Sequence, residues 1–249
     1  MRITRLVAGS VTAALIGITP LAISAPAHAD GQTYTPVITA NLNVQDAPFE
    51  APYVYGAGFY VSGSVTDPAG LYDANYDADV AYLQVYTPSN PVWTTIATDD
   101  SPGFLFFDGD FTFSENTQLK VVYSGAPAAG PYQDTFTAGE SAIISAPVTR
   151  KVVFKNPKGT RIKGNVSPDY GKKKIKVAKK VGKKWKKYKT YKTTKAGKYK
   201  FTLPAPRRGK TQWRITVPGN AQFTTWETRG YTYSSRVAAK AHPKVAFTR

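Results

Sequence analysis

Residues 174–188, KIKVAKKVGKKWKKY, decide how the chain is expected to fold. Ile175 and Val177 alternate with Lys174 and Lys176. Successive side chains on a strand point to opposite sides, so this alternation is what a strand with one buried face requires. If Ile175 and Val177 face a core, Lys174 and Lys176 face solvent. Trp185 and its apolar follower Tyr188 stand three positions apart, which breaks strict alternation. A β-bulge, one extra residue in one strand, accounts for the break.

The first half of the chain carries the same landmarks. Gly63-Ser64-Val65 precedes Pro68 and Gly70, as Gly164-Asn165-Val166 precedes Pro168 and Gly171. Leu83 and Val85 stand ten and eight residues before Trp93, as Ile175 and Val177 stand before Trp185. Ile96 then follows Trp93 as Tyr188 follows Trp185. Phe111-Thr112-Phe113 matches Tyr199-Lys200-Phe201, and the alternating run Leu119, Val121, Tyr123 matches Trp213, Ile215, Val217. Fixed spacing of this kind marks a duplicated unit. Short alternating segments separated by Asp-Gly, Lys-Ala-Gly-Lys and Pro-Gly-Asn turns predict antiparallel strands, and several per hundred residues predict a sandwich. The fold class expected is all-β: two tandem immunoglobulin-like β-sandwich domains. Positions shared between the copies assign Trp93, Trp185, Phe113, Phe201, Val121 and Ile215 to the cores.

Charge divides the chain at the same place as the repeat. Residues 30–149 hold fourteen acidic residues and one base, Lys120, a net of −13; from Arg150 onward thirty bases face Asp169 and Glu227, a net of +28. The switch falls within Ser145-Ala146-Pro147-Val148-Thr149-Arg150-Lys151, where proline and small residues interrupt the strand pattern. The expected domains are an acidic one over 30–147, a lysine-rich one over 148–235, and a basic tail over 236–249.

Ahead of them, Arg2 and Arg5 precede a mostly apolar stretch from Leu6 to Ile23 that ends in Ala27-His28-Ala29. That order is the pattern of a cleaved secretory signal peptide over residues 1–29. No later run reaches the roughly 20 apolar residues of a spanning helix, so no membrane span is expected. Cysteine is absent, so no disulfide can reinforce either core.

The second-half motifs, Gly164-Asn165-Val166-Ser167-Pro168, Ile175-Lys176-Val177, Lys184-Trp185-Lys186-Lys187-Tyr188, Gly197-Lys198-Tyr199-Lys200-Phe201 and Trp213-Arg214-Ile215-Thr216-Val217-Pro218, resemble the immunoglobulin-like repeat of secreted actinobacterial proteins. The resemblance covers roughly residues 148–235, and the first half shares it loosely. It implies a sandwich in an extracellular or cell-wall setting, and it brings no catalytic residues and no cofactor.

The residues themselves offer little for catalysis. Past the leader only His242 remains to act as an imidazole base, and it sits beside Pro243 in the expected tail. The neighbouring acids Asp99-Asp100 and Asp108 with Asp110 read as turn formers rather than as a glycosidase pair. Asp73, Asn75, Asp77 and Asp79 place oxygen ligands at alternate positions, as a calcium loop does. Ala78 stands where such a loop wants glycine, so a solvated acidic loop is the favoured reading.

Fifteen lysines between Lys172 and Lys200 are the strongest unusual feature. Lys172, Lys174, Lys176, Lys184, Lys187 and Lys189 are the expected contacts to a polyanion, with an anionic cell-wall polymer as the leading partner. Self-association of the acidic with the basic domain is the alternative, because head-to-tail contacts of that kind propagate.

Overall fold

The structure, a computed structural model, describes residues 31–46, 48–70, 80–128, 134–234 and 247–248. The expected signal peptide, the candidate calcium loop and most of the expected tail lie outside them. The described residues form strands and turns, with one short 3-10 turn at Pro102–Phe104 and no α-helix. None of their segments is a helix long and apolar enough to cross a membrane.

Two β-sandwiches follow one another. In the first, β2 (Val37–Val44), β4 (Phe59–Thr66) and β7 (Leu105–Phe107) make one antiparallel sheet. The facing sheet joins β5 (Ala81–Tyr86), β6 (Thr94–Asp99) and β8 (Thr117–Tyr123), with β10 (Gly139–Glu140) and β11 (Ile144–Ala146) on the far edge of β8. A short parallel pair, β1 (Thr33–Tyr34) with β9 (Thr135–Phe136), lies beside them. In the second, β13 (Lys151–Lys158), β14 (Arg161–Ser167) and β17 (Lys198–Thr202) form one sheet. The other runs in the order β16 (Lys184–Lys192), β15 (Lys174–Val181), β18 (Lys210–Val217), β19 (Trp226–Tyr233), β20 (Phe247–Thr248). β20, from the end of the chain, returns to pair with Arg229 and Gly230.

Each sandwich closes over its own apolar cluster. Phe113 and Val121 lie in the first, with Phe59, Leu83 and Phe107; Phe201 and Ile215 lie in the second, with Ile162, Val177 and Trp213. The ladders align the copies more closely than spacing does. In both central hairpins the register breaks at one point, between Leu83 and Gln84 and between Val177 and Ala178, so that Ile96 and Tyr188 are the bulged residues. Leu83 therefore corresponds to Val177 and Ala81 to Ile175, two residues away from the match counted back from the tryptophans. The count crossed a hairpin turn that is two residues longer in the first copy, and a two-residue slip leaves the buried face unchanged. Likewise Gly63 opposes Leu105 and Gly164 opposes Tyr199, so Leu105 and Phe107, not Phe111 and Phe113, are the counterparts of Tyr199 and Phe201.

Both copies need glycine at that ladder position. A Cβ on Gly63 would collide with the carbonyl oxygen of Thr39, and one on Gly164 with that of Val153 and with the Tyr199 ring. Tyr199 passes over Gly164 to donate its hydroxyl to the Val153 carbonyl at 2.9 Å, and burial raises its pKa far above the ordinary phenol value.

The charge switch at 145–151 is fastened on both sides. β12 (Val148–Thr149) pairs in parallel with β3 (Tyr53–Val54) of the first domain, while Thr224 of the second donates its amide to the Val148 carbonyl at 2.7 Å. Asn116 closes the joint. Its amide N–H donates to the Gln222 carbonyl at 2.7 Å, its Nδ2 donates to the Ala221 carbonyl at 3.0 Å, and its Oδ1 accepts from the Val148 amide at 2.8 Å and from the Thr224 hydroxyl at 3.2 Å. Between these bonds the loop joining β18 to β19 sends Phe223, 4% exposed, into the apolar cluster of the first domain. Phe223→Ala is expected to remove about 3–5 kcal/mol, the usual cost of truncating a buried phenylalanine, from the first domain rather than from its own. Calorimetry of the full chain checks this: the transition that shifts should be the one that a first-domain core variant such as Leu83→Ala also shifts.

Candidate functional site

Strand register decides which of the lysines share a surface. On β15 the side chains of Ile175 and Val177 are 1% exposed, so Lys174, Lys176, Ala178 and Lys180 stand on the outer face. Directly opposite on β16 are Lys192, Thr190, Lys187 and Trp185, and on the other side β18 places Thr216 beside Lys176 and Arg214 beside Ala178. β19 extends these rows with Glu227 and Arg229. The outer face thus gathers Lys174, Lys176, Lys180, Lys187, Lys192, Arg214 and Arg229 around one carboxylate among the described residues, Glu227. A groove of about 670 Å³ runs over it, lined by Lys174, Lys176, Lys187, Arg214, Glu227 and Trp185 among others.

The expected set of six lysines divides on this geometry. Lys174, Lys176 and Lys187 share the face. Lys184 and Lys189 do not: they oppose Val181 and Val177 and so lie on the core side of the edge strand, where the Lys189 ammonium sits 5.3 Å from the Tyr191 ring. The bulge at Tyr188 reverses the alternation between Lys187 and Lys189, and uniform spacing along the sequence does not show it. Lys172 belongs to the turn before β15, in a left-handed conformation with φ of 55°.

Trp93 and Trp185 are not core residues. Both are half-buried on the outer face of the bulged hairpin, outside the two apolar clusters. Trp185 is flanked by Arg214, whose guanidinium is 5.1 Å from the ring centre, by Arg229 at 5.8 Å and by Lys180 at 6.0 Å. Trp93 meets Lys120 at 4.9 Å. The two arrangements are equivalent, since Lys120 opposes Gln84 as Arg214 opposes Ala178, and Glu140 opposes Val122 as Glu227 opposes Thr216. Each cation reaches its glutamate, at 2.8 Å for Lys120–Glu140 and 3.6 Å for Arg214–Glu227, and Glu227 also holds Arg229 at 3.1 Å. The duplicated tryptophan therefore does have one duty in both copies, but the duty is to carry a cation and its carboxylate on the outer surface. The core tryptophan is Trp213, 1% exposed, whose Nε1 donates to the Thr232 hydroxyl at 2.8 Å.

Arg214 and Arg229 are absent from the expected set. Arg214 was within reach of sequence reasoning, because alternation that buries Trp213, Ile215 and Val217 turns Arg214 outward. Of the acids weighed for catalysis, Asp99 is occupied in a turn, where its carboxylate accepts the amides of Ser101 at 2.9 Å and Phe106 at 2.8 Å.

The two tryptophans should respond differently to truncation. Trp213→Ala is expected to cost about 3–5 kcal/mol of stability, and Trp185→Ala, which loses surface cation–π contacts, about 1 kcal/mol. Urea denaturation of the two variants beside the parent chain gives both numbers.

No protein-family model matches the chain, and no curated protein matches its sequence. Among solved structures it is similar to a two-domain fibronectin type III segment of chicken tenascin, at 11% identity and a TM-score of 0.37, covering 80% of this chain and 99% of that one. It is also similar to the human OSCAR ligand-binding domain, at 15% identity and a TM-score of 0.28, covering 78% of this chain and 96% of that one.

Proposed function

We propose that the protein is an exported, non-catalytic component of the cell envelope whose second domain holds anionic polymers, phosphate-rich wall glycopolymers foremost, on the outer face of the sheet β16-β15-β18-β19. The observation that carries this reading is the collection of seven cations around one carboxylate on a rigid surface. Ammonium and guanidinium groups at fixed spacing attract a linear polyanion and release its counterions on contact, without reading its sequence. The leader-like first 29 residues and the likeness of the second half to secreted immunoglobulin-like repeats support export. Among the described residues none of the ion pairs joins one domain to the other.

A second reading, assembly of copies through acidic-to-basic contacts, is favoured by the opposite net charges of −13 and +28 over residues 30–149 and 150–249. Both mechanisms weaken with salt, because exposed charges are screened over about 8 Å at physiological ionic strength. They separate when polymer binding and self-association are measured on one sample.

The test uses the full chain and a poly(glycerol phosphate). K174E/K176E/K187E should lose binding at least a hundredfold while keeping its melting temperature, and the parent's affinity should fall steeply with salt, with a shallower slope in single variants. Polymer binding unchanged in the triple variant overturns the proposal. Concentration-dependent growth in sedimentation, abolished by the same three changes in a chain that ignores the polymer, puts assembly in its place.

A further inference from the structure

Where β14 turns into β15, next to the domain joint, lies a second concavity of about 500 Å³, which shares Lys174 and Lys176 with the groove around Trp185 and is otherwise lined by its own residues. Its wall includes Arg150, Tyr170 and the run Lys172, Lys173, Lys174 and Lys176. Arg150 is buried, with its guanidinium stacked between two rings, 4.3 Å from the centre of Phe223 and 5.0 Å from that of Tyr170. Its Nε donates to the Pro168 carbonyl at 3.2 Å and an Nη to the Asn220 side-chain oxygen at 3.4 Å. Both partners are neutral, and among the described residues no carboxylate touches it; Asp169, exposed and not in contact, only partly offsets the cost of burial. A buried cation without an anion is expensive, and burial lowers the Arg150 pKa accordingly.

The surrounding loop is built to hold its shape. The amides of Lys172 and Lys173 donate to the Thr194 carbonyl and the Thr193 hydroxyl, each at 3.0 Å, and the Tyr170 hydroxyl donates to the Lys174 carbonyl at 2.7 Å. Asp169 and Lys172 both hold left-handed backbone, at φ of 45° and 55°, which residues with a Cβ adopt at a cost. The backbone that carries Lys172, Lys173 and Lys174 is thereby fixed beside a buried guanidinium that no carboxylate touches among the described residues.

We infer that this pocket is a binding site for one phosphate-class anion, which supplies the missing counter-charge to Arg150 and is gripped from the rim by Lys172 and Lys173. The planar guanidinium suits two oxygens of a phosphoryl group, and the ammonium groups suit the others. The inference goes beyond the polymer reading, since the pocket takes free phosphate whether or not a polymer lies on the outer face.

Calorimetric titration of the full chain with sodium phosphate, against sodium chloride at equal ionic strength, tests it. Saturable binding is expected. K172Q/K173Q should weaken it about tenfold or more through loss of charge-assisted contacts, while K187Q, on the outer face, leaves it unchanged. R150Q should abolish it; because Arg150 also stacks on Phe223, the rim variant carries the result if R150Q loosens the joint. No saturable phosphate binding, or equal loss in K172Q/K173Q and K187Q, overturns the inference, the latter by showing a diffuse positive field in place of a pocket. Inorganic polyphosphate then separates the sources. If saturating phosphate competes with it, the pocket takes a polymer-borne group; if both bind independently, the pocket takes the free anion. Lys187 lines only the groove around Trp185 and Lys172 and Lys173 line only this pocket, so weakened polymer binding with phosphate binding intact in K187Q, and the reverse in K172Q/K173Q, keep this inference apart from the one above.

Discussion

One residue too many in an edge strand governs how the basic domain presents its charge. Because β15 opposes β16 with Tyr188 bulged, side chains before and after it on β16 follow opposite alternation relative to an unbroken strand. Trp185 and Lys187 come to stand in line with Lys176 and Arg214, and Lys189 is turned to the core side beside Tyr191. A regular strand would have split the outer face. The first domain carries the same bulge at Ile96 with the same consequence for Trp93 and Lys120, so the device belongs to the duplicated unit and not to the lysine-rich surface laid over one copy of it.

Much of the fold was legible because it rests on local rules. Alternation in Ile175–Val177 and in Trp213–Val217 finds the inner face of two strands from sequence alone, and the three-residue step after each tryptophan locates the bulge. What could not be read is whatever depends on distance through space. The spacing of Leu83 and Val85 from Trp93 crosses a hairpin turn of unknown length, so the pairing was matched two residues out. Assigning the tryptophans to the core rests on the premise that a shared position has a shared duty. The premise does not say which duty, and large aromatic rings serve equally as cores and as platforms for cations. Asn116 and Phe223 gave no signal at all, since an asparagine in a turn and a phenylalanine in a loop look ordinary until the other domain is beside them.

The site followed the same division. Alternation in the sequence finds Lys174 and Lys176, whereas Lys184, Lys187 and Lys189 enter the expected set only through the density of lysines, and of these the register keeps Lys187 on the face. In the sequence Arg150 stands only as the first base after the charge switch. Its significance lies in Pro168, Tyr170, Asn220 and Phe223, which are eighteen to seventy-three residues away along the chain.

The joint explains how a strongly acidic and a strongly basic domain can be neighbours without neutralising one another. Opposite charges brought into contact would lose their hydration and gain a Coulomb attraction that repays it only when geometry is good. The contact includes a short parallel pairing, the hydrogen bonds of Asn116, one from Gln222 to Ser89, and the apolar side chain of Phe223, all between neutral groups. Coupling the domains through Phe223 and Asn116 fixes their relation while leaving both charged surfaces outside it. Of the charges at the joint, Arg150 lies on the second-domain side beside the lysines of β15, and the buried carboxylate of Glu115 lies on the first-domain side, where it accepts from Ser89, whose hydroxyl in turn accepts from the Gln222 side-chain amide. A domain pair assembled this way keeps its charges for something other than holding itself together.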